Sequence, residues 1–506
     1  MKIERTKNAI RSICWGMGSK VISILLPFLF RTVMLKCLGA DYLGLNSLMV
    51  SILQVLNLAE LGFGSAVVYS MYEPIANDDA ERINALLKYY RKIYLSIGLI
   101  VFILGMIVLP FLPYFINGDY PTDINLRVVF FLYLINTAFS YIYYGYKGAI
   151  IAAFQRNDLE SKANMIVSVI KYTGEILLIY FTRNYYVVLL IELFATLLNN
   201  TIKSIYVNSL FPIYKCEGDL LEKEKKKIKS NVSSLMLHKI GGIILNSTDT
   251  IVISMFMGVV MVSRYTNYFY IVNAVEGILV MCFASMTAGI GNSIVTEEKS
   301  KNIDYFKKIL FFNAWIVGWC SVCFTCLFQD FMQIWTGKEH MFEMRLVLLI
   351  VIYFYVHGIR RTIITFRDAA GMWRDNRWQP IVSASFNLVV NCILINIIGI
   401  YGVVISSIIS MVLIDMPWET KKICKTLNID VFLYYKSLFK YAVVTIFVVT
   451  VSYLISTLFH FSVGLNLIIK LVVVCVGMAN VLLWIIFRRK SEYTYFCGLV
   501  KKYLNR

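Results

Sequence analysis

The chain holds 506 residues, 58% of them hydrophobic and 16% charged, with a formal net charge of +18. Soluble domains are roughly 45–50% apolar; here the excess is gathered into runs of about 20 residues, the length that crosses a hydrocarbon core of ~30 Å. That pattern excludes a soluble globular fold. The scatter of Lys and Arg between the runs, with no separate basic domain, excludes nucleic acid as the reason for the positive charge.

The chain opens with Lys2, Arg5, Lys7, Arg11 and Lys20 around the start of the first apolar run. No small-residue cleavage site follows, so the run reads as a first span entered from inside rather than a cleavable signal. Run length then predicts spans at 12–36, 44–72, 93–116, 126–147, 163–182, 185–211 and 232–258. Seven more follow at 265–293, 309–328, 345–366, 378–398, 401–418, 441–460 and 464–487. The expected fold class is all-α: a polytopic membrane protein of about fourteen transmembrane helices.

Charge tests the count. Even-to-odd connections are rich in cations (Arg82, Lys88, Arg91 and Lys92 in the first; Lys223 to Lys229 in the third), as is the tail with Arg488, Arg489 and Lys490. Odd-to-even connections are poor in them, and 117–123 is acidic. Cations accumulate on the cytoplasmic side, so both termini are expected there. The stretch 212–231 reads as a charged cytoplasmic linker between two six-span bundles, 1–211 and 232–425, with two additional helices and a tail at 426–506.

Six spans per bundle returns the chain to the starting side, so the bundles are expected to be parallel repeats. At a shift of about 219 residues, Leu38-Gly39 falls on Met257-Gly258, Ile75 to Asp79 on Ile294 to Glu298, and Arg156-Asn157 on Asp375-Asn376. Two like bundles suit alternating access around a cleft. No outer loop is long enough for a catalytic domain, so no enzyme is expected.

Charge inside a span costs roughly 2.5–3.5 kcal/mol per residue on insertion scales. Lys171 and Glu175 stand four apart and can neutralise each other. Arg31, Lys239, Arg360 and Arg361 come from different spans of both bundles and point to an anionic substrate. The planar arginine fork suits phosphate, although Arg31, Arg360 and Arg361 could also snorkel to head groups. Asp249 and Glu60 lack an adjacent cation on their own helices and are candidates for coupling to H+ or Na+. Cys320, Cys323 and Cys326 lie on one span with no completing acid or histidine nearby, and read as packing residues rather than metal ligands. No metal and no cofactor is expected.

Several stretches resemble the polysaccharide and O-antigen flippases of the multidrug/oligosaccharidyl-lipid/polysaccharide exporter superfamily. They are Arg31-Thr32 with Leu38 to Asn46, Glu60-Leu61-Gly62-Phe63-Gly64, His238 to Gly242 leading to Ser247-Thr248-Asp249-Thr250, Tyr265-Thr266-Asn267-Tyr268, and Phe366 to Gly371. The resemblance covers roughly the first 425 residues. It implies two six-helix bundles in a V and movement of an undecaprenyl-diphosphate-linked oligosaccharide from the inner to the outer leaflet of a bacterial cytoplasmic membrane. A gradient-driven cycle, Asn267 and Tyr268 as substrate contacts, and a polymerase and glycosyltransferases as partners go with it. Such members often carry a second tyrosine where this chain has Phe269. A lipid II flippase or a small-molecule exporter of the same superfamily is the alternative, and a polysaccharide polymerase a weaker one.

Overall fold

The computed structural model describes residues 5–60, 63–372 and 378–504, and every regular element among them is helical. In chain order these are α1 (Arg5–Cys37), α2 (Ala40–Leu56), α3 (Phe63–Ala76), α4 (Ala80–Val108), α5 (Leu126–Ile142), α6 (Gly148–Ala153), α7 (Asn157–Thr182), α8 (Tyr185–Leu210), α9 (Glu222–Met257) and α10 (Val259–Thr296). Then come α11 (Lys299–Trp335), α12 (Met344–Ile359), α13 (Arg361–Ala369), α14 (Gln379–Ile398), α15 (Ile400–Ser410), α16 (Met416–Leu427), α17 (Val431–Ser456), α18 (Val463–Ile469), α19 (Ala479–Phe487) and α20 (Ser491–Leu504). Eleven helices are long and apolar enough to cross a membrane, and the pair Leu126–Ile142 with Gly145–Ala153, bent by 46°, makes a twelfth. The count of fourteen is not reached on length and composition among the described residues. The other two expected spans fall on α2, which stops at Leu56, and on Gly241–Met257, the second half of α9.

The chain divides into two compact units, Met1–Thr266 and Asn267–Arg506. In the first, α1 packs along α7, α7 along α8, α4 along α5, and α2 along α9. Asp79, Asn125 and Asn184 cap α4, α5 and α8 by accepting hydrogen bonds from backbone N–H groups of their first turns, which satisfies donors that a helix start leaves open. Gly44 lets α2 meet the start of α10 backbone to backbone: a Cβ there would lie 1.8 Å from the Val259 carbonyl oxygen. The expected linker is a loop over 212–221 followed by the first turns of α9. Lys88 and Arg82 of α4 hold it through Asp219 at 3.2 Å and Glu224 at 2.7 Å.

In the second unit α11 is the central helix, packed on α12, α17 and α18, while α14 and α15 form a tight hairpin. Gly399 turns that hairpin with φ 59°, and Gly402 brings α15 onto the α14 backbone at Leu394, where a Cβ would sit at 2.5 Å. The turns Met411–Asp415 and Lys470–Met478 are π-helical.

The repeat shows in the backbone. Gly39 and Gly258 both have positive φ (110° and 82°), as do Gly118 and Gly337 (80° and 87°). Each pair is related by the same shift of 219 residues that separates Ser47 from Thr266, two hydroxyls 3.3 Å apart. The break between α5 and α6 recurs as the break between α12 and α13. The carbonyls freed at each are taken by an asparagine amide: Asn200 donates to Ser140 and Tyr143, Asn313 to Gly358 and Ile359. Inside a bilayer such carbonyls have no water to turn to. Asp375-Asn376, the third landmark of the repeat, lies outside the described residues.

Candidate functional site

In the first unit, Arg31 of α1 donates to the Thr266 hydroxyl at 2.9 Å, beside Ser47 of α2. Glu60 sits where α2 gives way to a 3-10 turn. Its two carboxylate oxygens accept from the phenols of Tyr94 (2.8 Å) and Tyr141 (3.2 Å), so both are satisfied by neutral donors. Asp249 is buried on α9 and accepts from the Tyr265 phenol at 3.1 Å. The Lys239 and His238 side chains, and Leu61 and Gly62, lie outside the described residues. Deeper in the unit, the Asn46 side-chain oxygen accepts from Tyr133 and from Tyr185, whose phenols are 3.1 Å apart.

A polar run lies between α7 and α8. Glu160 pairs with Lys203 at 3.0 Å, Asn164 accepts from Asn199 at 3.0 Å, and Lys171 meets Glu192 at 3.0 Å and Glu175 at 3.8 Å. Asn164, Ser168, Lys171, Glu192, Thr196 and Asn199 line a cavity of about 220 Å³. Lys171 and Glu175 do pair along their helix, but the closer partner is Glu192 on the neighbouring one.

In the second unit two adjacent arginines have opposite circumstances. Arg360 is buried and its fork is taken: Nε and Nη2 donate to Glu419 at 3.2 and 3.0 Å, and Nη1 meets Asp415 at 3.1 Å. Arg367 adds a contact to Glu419 at 3.5 Å and is itself bonded to Asp368, while Gln379 donates to Asp415 at 2.6 Å. The π-turn ends at Asp415, and Glu419 follows four residues later on the same helix face. Arg361 is half-buried, and no carboxylate among the described residues stands within ion-pair distance of it. Glu276, whose charge reaches it, is bonded to His357 at 2.9 Å.

Asn267 and Tyr268, expected as substrate contacts, are buried. The Tyr268 ring stacks on Phe342 at 4.9 Å, and its hydroxyl accepts from the Phe342 N–H at 3.1 Å. Asp415, Glu419 and His357 were not anticipated from the sequence. Asp415 stands within the predicted span 401–418, which was the available signal.

With this geometry in view, the family model described as "Polysaccharide biosynthesis protein" matches residues 9–288. The chain belongs to that family. The matched residues take in Arg31, Glu60, Asp249 and the α7–α8 seam, and stop before Arg360 and Arg361. No curated protein matches. Among solved structures the fold is similar to lipid II flippase MurJ in an inward closed conformation, with TM-score 0.68 at 14% identity, covering 95% of this chain and 99% of that one. It is also similar to an inward-facing multidrug resistance MATE family transporter of the MOP superfamily, with TM-score 0.63 at 15% identity, covering 80% and 95%. A MOP superfamily transporter from Pyrococcus furiosus, described as having a binding pocket of reverse polarity, gives TM-score 0.53 at 15% identity, covering 83% and 96%. This member of the polysaccharide biosynthesis family therefore has a fold that transporters share.

Proposed function

We propose that the protein is a flippase that moves an undecaprenyl-diphosphate-linked oligosaccharide from the inner to the outer leaflet of a bacterial cytoplasmic membrane by alternating access. Arg361 carries the reading. A guanidinium inside a span needs a counter-charge, because an uncompensated buried ion costs several kcal/mol. Its neighbour Arg360 has two carboxylates in direct contact; Arg361 has none within ion-pair distance among the described residues, and Glu276, whose charge reaches it, is bonded to His357. An anionic ligand supplies what is missing, and a diphosphate offers the paired oxygens that the arginine fork binds best. Arg31, held by a neutral hydroxyl at 2.9 Å, is a second phosphate ligand, and Lys239 a third. Arg360 instead positions the break at which Arg361 stands. Glu60 and Asp249 are the candidates for taking up the coupling H+ or Na+. Both termini lie in the cytoplasm on this reading, a polymerase and glycosyltransferases act before and after, and no covalent step is required. Lipid II is the second reading for the cargo, favoured by the extent of the likeness to a lipid II flippase.

Binding of a short-chain isoprenyl diphosphate to protein in detergent tests the arginine. Loss of one charge-assisted hydrogen bond is worth about 1.5–3 kcal/mol, or roughly ten- to a hundredfold in affinity. Arg361→Ala is expected to lose that much and Arg361→Lys less, since charge remains without the fork. Equal affinity in all three proteins would remove the phosphate from this site.

A further inference from the structure

A cavity of about 810 Å³ lies against α16 and the start of α14. It contains neither Arg360 nor Arg361, and the sequence of α16 explains why. That helix divides its charges between two faces. Glu419, with Asp415 just before the helix, is buried and turned to Arg360 and Arg367. Pro417, Lys421 and Lys425 stand four apart, as do Trp418 and Lys422, so these five share another face. All five line the cavity. Among the described residues no carboxylate lines it, and none stands within ion-pair distance of Lys421 or Lys425, which are both exposed.

Polarity also changes along the cavity. One end is exposed hydrocarbon: Leu413 in the π-turn and Val382 of α14, brought level by the contact of the Ser383 and Ser410 hydroxyls at 2.8 Å. Lys421 follows about 12 Å further along at 1.5 Å per residue, where α16 enters the cation-rich stretch from Lys421 to Lys440. Trp418 stands between the two ends. Lysines at the end of a span reach head groups without any hollow beside them. A hollow with cations at one end and hydrocarbon at the other selects further. A soluble phosphate would meet the lysines and leave the hydrocarbon unmet. A zwitterionic phospholipid brings its own ammonium to a site that already has three. An anionic phospholipid matches both ends, and an indole suits the interfacial level between its head and its chains.

We propose that the α14–α16 cavity is a binding site for an anionic glycerophospholipid of the surrounding membrane, with its phosphate at Lys421 and Lys425 and an acyl chain against Val382 and Leu413. The site is separate from the cargo site and does not rest on what the protein transports. The full chain is reconstituted in phosphatidylcholine vesicles. Phosphatidylglycerol or phosphatidylcholine carrying a nitroxide near the head of one acyl chain is titrated in. The protein has 8 tryptophans, so the Trp418 component is the quenching that Trp418→Phe loses. That component reaches half-quenching at a mole fraction of labelled phosphatidylglycerol at least roughly tenfold below that of labelled phosphatidylcholine, each lysine at an anionic head being worth roughly fivefold. Lys421→Gln with Lys425→Gln brings the two curves together, whereas Lys421→Arg with Lys425→Arg keeps them apart. Total quenching of wild type against the glutamine pair carries the same comparison should Trp418→Phe not fold. Equal quenching by the two labels in wild type, or a preference that survives in the glutamine pair, overturns the site. Relief of the quenching by soluble glycerol phosphate would make it a free-phosphate site and overturns the lipid. Relief by geranylgeranyl diphosphate at a lower mole fraction than by unlabelled phosphatidylglycerol would give the cavity to an isoprenyl diphosphate, and likewise overturns the proposal.

Discussion

Arg360 and Arg361 show how far a residue can be read without its neighbours in space. Both stand in a predicted span, and both are arginines, so from the sequence they differ only by one position. The structure separates them by partners 55 and 59 residues away, Asp415 and Glu419. No intrahelical spacing reports a carboxylate on another helix, whereas Lys171 and Glu175 were legible because they share one. The consequence is testable at Glu419, which binds two arginines in a buried network. Glu419→Gln leaves those guanidinium groups short of charge. Breaking one side of a buried pair costs on the order of 3 kcal/mol, so the variant is expected to unfold at lower temperature in detergent thermal scans. A melting midpoint equal to wild type would show that the network is not compensating Arg360.

At the scale of elements, most spans were legible because run length and charge alternation are local signals. The exceptions are the second and the seventh, and the second shows why. Its apolar run is continuous over 44–72 by composition, yet α2 stops at Leu56 and Glu60 sits in the turn that follows. The polar Asn57 and Glu60 and the glycines around Phe63 were the cue, and hydropathy averages over them. Helix spacing was partly legible too. The stretch Leu43-Gly44-Leu45-Asn46 stands out in the sequence as part of a motif, but only the structure shows that Gly44 sits on the Val259 carbonyl. Because the obstruction is backbone, it cannot rotate aside as a side chain would. Gly44→Ala is therefore expected to destabilise by about 1–3 kcal/mol, the range for overpacking, lowering the melting midpoint. An unchanged midpoint would mean that α2 and α10 are free to separate there.

For the whole molecule, the repeat was visible in the sequence as a shared offset between weak landmarks, and the backbone carries it in paired positive-φ glycines and paired helix breaks. Composition and motifs reached the fold class and the family. They stopped short of the site, because the carboxylates that hold Arg360, and the lack of one within ion-pair distance of Arg361 among the described residues, are properties of packing between helices. The most direct measurement is made in sealed vesicles holding the purified protein and a fluorescent isoprenyl diphosphate that carries a sugar, with an enzyme added outside that cleaves only outward-facing lipid. The protected inner pool is expected to shrink with time in vesicles containing wild type, and far more slowly with Arg361→Ala at matched protein content. An inner pool that stays protected in both, in vesicles shown to hold folded protein and with H+ and Na+ gradients imposed in either direction, would contradict lipid flipping by this protein.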